Sequence, residues 1–110
     1  MPMRFIIFVI DVTSNSAIGN EMENIDAFND RLVAGGNLVL AAGIADPGRA
    51  MIIDNRSGAR SESLGSLCTG PEHYSGFWII NVESEVQAIN FAREASAACD
   101  RKVELRPFLA

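Results

Sequence analysis

Hydrophobic and polar positions divide the chain into runs of two kinds. Arg4 to Val12 (RFIIFVIDV) is almost continuously apolar, the pattern of a strand covered on both faces and central in its sheet. Ile18, Met22, Ile25, Phe28 and Leu32 then recur at steps of four, three, three and four, which places them on one helical stripe. Asn20 with Glu23 supplies an N-cap pattern, and Gly35-Gly36 supplies the positive-φ positions that end helices, so a first helix is expected over residues 20 to 34. Asn37 to Ala45 follows as a second apolar strand, and Asp46-Pro47-Gly48 reads as a turn leading, hairpin-like, into a third strand from Arg49 to Asp54. After a turn at residues 55 to 58, Ala59 to Leu64 reads as a weak, polar-alternating edge strand.

From Gly65 to Ser75 the pattern lapses into small and polar residues, the expected place for a binding loop. Gly76 to Val82 (GFWIINV) is the most hydrophobic of the later strands. Ser84 and Gln87 form a capping-box pattern at the start of a second helix, whose buried side is read as Val86, Ile89, Phe91, Ala92 and Ala95. Its alanines make it slim enough to approach a sheet closely. Lys102 to Phe108 closes the chain as a strand with Val103 and Leu105 on one face and Glu104 and Arg106 on the other. The expected fold is α+β, a ferredoxin-like βαββαβ order with an extra short strand, in a single domain spanning residues 1–110. Two helices cover one sheet face, yet Phe77/Trp78 and Ile79/Ile80 place apolar side chains on both. A homodimer with facing sheets and a cavity between them is therefore expected.

Composition narrows the function. The 9 Lys+Arg against 14 Asp+Glu give a net charge of −5, and the isoelectric point is near 4.7. No basic footprint for nucleic acid or an anionic membrane surface exists in that balance. No apolar run approaches a membrane span or a signal-peptide core, so a cytoplasmic location is expected. Cys68 and Cys99 lack zinc-site or CxxC spacing, so no metal site is expected, and the two read as small buried hydrophobes, with a disulfide between them as the alternative. Gly35-Gly36 and Gly70-Pro71 match no phosphate-binding motif, and no cofactor is expected.

The chain resembles the YCII-like family, in its DGPF-type branch, over almost its full length. The resemblance is carried by residues 27 to 47 (AFNDRLVAGGNLVLAAGIADP), Gly70-Pro71, residues 76 to 83 (GFWIINVE), the helix around residues 88 to 95, and the ending Val103-Glu104-Leu105-Arg106-Pro107. It implies a ferredoxin-like fold that dimerises into an α+β barrel, with a pocket near the dimer interface. Some members are thought to be lyase-like or dehalogenating enzymes using a His and an Asp. This chain departs at the branch motif, which stands here as Thr69-Gly70-Pro71-Glu72. It also departs at the family's His position, where it has Ile25 and Asp26, and at the Asp position near Cys99. The family's dyad is thus not carried over.

Candidate site residues follow from chemistry. His73, the one histidine, lies between Glu72 and Tyr74 and is a candidate general base; the alternative is a solvated loop histidine. Arg106 has the planar fork that suits a small carboxylate, or it forms with Glu104 a pair that closes the dimer interface. Asp11 interrupts an apolar strand, where a carboxylate needs a partner, or marks the place where that strand leaves the core. Tyr74, Phe77 and Trp78 form an aromatic group that either floors a pocket or packs the core. Two functions are expected to compete: a dimeric small-ligand-binding module, and a cofactor-free lyase or isomerase with His73 as base acting on a small organic acid.

Overall fold

A computed structural model describes residues 2–12, 21–67 and 69–109. The elements run β1 (Met3–Val12), α1 (Glu21–Ala34), β2 (Leu38–Gly43), β3 (Met51–Asp54), β4 (Ser61–Leu64), β5 (Glu72–Val82), α2 (Glu85–Cys99) and β6 (Lys102–Pro107). Four strands form one sheet in the order β2-β5-β1-β6, with β1 interior and all three pairings antiparallel. Each helix crosses over one intervening strand. This α+β arrangement is compatible with a ferredoxin-like fold, and β3 and β4 are an insertion between its second and third sheet strands, two extra strands where the expected order had one.

Register assigns the two faces. Phe5, Ile7 and Val9 of β1 lie opposite Ile80, Trp78 and Gly76 of β5, and opposite Pro107, Leu105 and Val103 of β6. This face meets the helices, where Phe5, Ile7, Val9, Trp78, Ile80 and Val82 join Phe28, Leu32, Ala88, Ala92, Ala95, Ala98 and Cys99 in one buried cluster. The opposite face carries Ile6, Phe8 and Ile10 of β1, Phe77 and Ile79 of β5, and Leu40 of β2. Five of these six are half-buried and Leu40 is exposed, while both helices pack on the other side.

Several expectations are corrected. β5 begins at Glu72 rather than Gly76, so Glu72-His73-Tyr74-Ser75 is strand, not loop; these polar residues pair with the end of β1, and a bulge at Val9/Ile10 absorbs the extra residue. β2 pairs with β5 and not with β3, so the turn at residues 46 to 48 closes no hairpin; it forms a short 3-10 turn. β3 and β4 pair only with each other, in a separate two-stranded sheet. On α2 the buried stripe is Ala88, Ala92, Ala95, Ala98 and Cys99, and Val86 is 68% exposed. Alanine lets that face sit against the sheet, which turns the bulkier Val86 outward. Met22 on α1 is likewise 70% exposed, whereas Phe28 and Leu32 are buried as the stripe requires. Ile18 and the Asn20 cap lie outside the described residues.

The caps that are described behave as the sequence implies. Ser84 Oγ accepts from the Gln87 N–H at 3.2 Å, and Gln87 Oε1 accepts from the Glu83 N–H at 2.8 Å. Gly36 closes α1 at φ 71°, and the Asn37 N–H donates back to the Leu32 carbonyl at 2.8 Å. No described helix is long and apolar enough to cross a membrane.

Candidate functional site

Antiparallel register brings Tyr74, Glu104 and Arg106 together on the open sheet face. Ile10 stands opposite Tyr74, while Phe8 and Ile6 stand opposite Glu104 and Arg106. The Tyr74 hydroxyl donates to Glu104 Oε1 at 3.0 Å, and Arg106 pairs with the other oxygen of the same carboxylate. Between them the Phe8 ring stacks on Tyr74, with centroids 4.4 Å apart and planes 19° from parallel, and the Arg106 guanidinium lies 5.6 Å from its centre. The result is a polar chain laid over an aromatic pair. Arg106 thereby has its carboxylate within its own chain.

His73 is half-buried and lines, with Tyr74, a hollow of about 300 Å³ bounded by Ile44, Asp46, Arg49 and Ser66. Its cross-strand neighbour is Asp11. That carboxylate is committed elsewhere, to Arg101 Nε at 3.1 Å and to the Val12 N–H at 2.8 Å. Burial pushes the Asp11 carboxyl up, but the Val12 N–H, the Arg101 guanidinium and the charge on His73 together outweigh it and hold it below the ordinary aspartate value. Asp11 is therefore the partner of a cation rather than the orienter of the imidazole. Arg101 is positioned by the end of α2: Asp100 adopts a left-handed φ of 51°, and Ser96 Oγ donates to the Arg101 carbonyl at 2.6 Å.

Trp78 projects to the helix face, away from Tyr74 and Arg106, so the aromatic group expected from sequence is divided between two layers. Its indole edge meets Phe28 at 5.3 Å and 83°, and its Nε1–H donates to Asn29 Oδ1 at 2.6 Å. Beside it a cavity of about 410 Å³ opens under the first turns of α1. Its helical wall is Met22, Ile25, Asp26 and Asn29, spaced i, i+3, i+4, i+7, and its floor includes Ala41, Ala42, Gly43 and Gly76. The space exists because those strand positions hold almost no side chain. Gly76 also answers to packing, since a Cβ there would stand 2.9 Å from the Ala42 carbonyl oxygen. Sequence reasoning missed this cavity, together with Asp26 and Asn29; the signal was the Ala-Ala-Gly run facing a helix stripe that carries two polar residues.

Cys99 lies at the back of the same cavity, buried, with its thiol pushed up by burial. Cys68 lies outside the described residues. Among the described residues no cluster of three or more His, Cys, Asp or Glu is placed to hold a metal ion. No protein-family model matches the chain, and no curated protein matches it significantly.

Proposed function

We propose that the chain is a divergent YCII-like protein of the DGPF type that pairs with a second copy through its open sheet face, as a dimeric α+β barrel, and binds a small organic acid in the chamber this creates. The observation that supports it is the apolar row Ile6, Phe8, Ile10, Phe77, Ile79 and Leu40, half-buried apart from the exposed Leu40, on a sheet whose helices both lie on the other side. Removing that apolar surface from water favours association, and a two-fold contact covers both copies at once. The polar chain of Tyr74, Glu104 and Arg106 would wall the chamber, and the hollow beside His73 would open into it.

Within that hollow Arg49 is the anchor for an acid, because it has no carboxylate partner among the described residues, whereas Arg106 is engaged by Glu104. The catalytic reading gives His73 the role of base at the same hollow; it has less support, since Asp11, the nearest candidate to orient the ring, is held by Arg101. Sedimentation equilibrium at micromolar concentration is expected to give a dimer, and Ile6→Glu a folded monomer. Titration with benzoate or succinate is expected to saturate, and Arg49→Ala to weaken it at least tenfold. A monomeric wild-type chain would overturn the pairing, and acid binding indifferent to Arg49 would overturn the anchor.

A further inference from the structure

We infer that the cavity beneath α1 is a second binding site, selective for a small aromatic amine. It lies on the helix face of the sheet, opposite the surface proposed to pair, and stands independently of that pairing. Three observations carry it. The volume of about 410 Å³ is within the range of small-molecule sites. The walls are apolar, from Val9, Met22, Ile25 and Trp78, so a ring is the body that fills them. The charges in the wall do not cancel: Arg101 is neutralised by Asp11, while Asp26 has no cationic partner among the described residues.

An unpaired carboxylate at the edge of an apolar cavity favours an ammonium group over a carboxylate, which it would repel. The net charge of −5 raises the local concentration of cations further. Asn29 supplies the neutral contact. Its Oδ1 is fixed by the Trp78 indole, which leaves the amide NH₂ as the group able to donate to a ligand oxygen or to the face of a ring.

Trp78 is the chain's one tryptophan and stands in the cavity wall, so its emission reports occupancy. The test is titration of the full chain with 2-phenylethylamine, 2-phenylethanol and phenylacetate, three probes of similar shape and different charge. Saturable change in Trp78 emission is expected with the amine, at least tenfold weaker binding with the alcohol, and none with the acid. Asp26→Asn, at an exposed helix position, is expected to erase the preference for the amine. Ala41→Leu, which places a side chain in the cavity, is expected to abolish binding. Circular dichroism checks the fold of each variant, and should Ala41→Leu not fold, the charge series with Asp26→Asn decides alone. Ile6→Glu is expected to bind the amine as wild type does, which separates this site from the open-face chamber. Equal binding of the three probes, retention of the amine preference by Asp26→Asn, or the absence of any emission change would overturn the proposal.

Discussion

Asp11 and Arg101 form the most sheltered ion pair among the described residues, each side chain 18% exposed. The Asp11 carboxyl is more acidic in the folded chain than in the unfolded one, so its contribution to stability is complete above the ordinary aspartate value of 3.8 and is lost as pH falls below it. Chemical denaturation of wild type is expected to lose stability as pH falls below about 4 more steeply than Asp11→Asn, which at pH 7 is expected to be less stable by about 1–3 kcal/mol because Arg101 loses its carboxylate. Cys99 runs in the opposite direction. Burial keeps the thiol protonated, so in a Cys68→Ser background iodoacetamide at pH 8 is expected to label Cys99 far more slowly in the native protein than in denaturant. Phe28 is fully buried and braces the Trp78 ring edge-on; Phe28→Ala is expected to cost about 3–5 kcal/mol by thermal or urea unfolding.

At the level of elements, α2 shows how a helix is seated by what it lacks. Ala92 faces the sheet and Val86 faces solvent, so Ala92→Leu is expected to destabilise by about 1–3 kcal/mol through overpacking, while Val86→Ala stays within about 0.5 kcal/mol in the same unfolding assay. The sequence put Val86 and Ala92 on the same buried side; Ala92 is there and Val86 is not, because hydrophobicity marks which residues are able to be buried and not which face fits closely. Period-two and period-3.6 patterns were enough to place six strands and two helices in order, and to put Val103 and Leu105 opposite Glu104 and Arg106. They did not reach the first residues of β5, where Glu72, His73 and Tyr74 are polar but take their conformation from pairing with β1. The partner of β2 was also out of reach, since a turn after a strand does not reveal which strand it joins. Of the candidate site, Tyr74, Glu104 and Arg106 proved to be neighbours because alternation and register are simple rules. The cavity under α1 was hidden because it is made by missing side chains, and no pattern of large residues announces it.

Over the whole molecule, one face of the sheet is covered by helices and the other is not, and the same asymmetry extends to its margins. The sheet order leaves β2 and β6 with one unpaired side each. β6 carries Lys102, Glu104, Arg106 and Pro107, the charges and proline that discourage another chain from adding on. β2 reads Leu-Val-Leu-Ala-Ala-Gly, with neither a charge nor a proline, and its Val39 and Leu40 are exposed. Val39→Lys is therefore expected to slow turbidity growth in concentrated, gently heated samples, and a lysine placed on β6 to change it little. Because only one rim of the sheet carries charges and a proline, any aggregation of this protein is expected to have a direction, with strands from neighbouring molecules extending the sheet outward from β2.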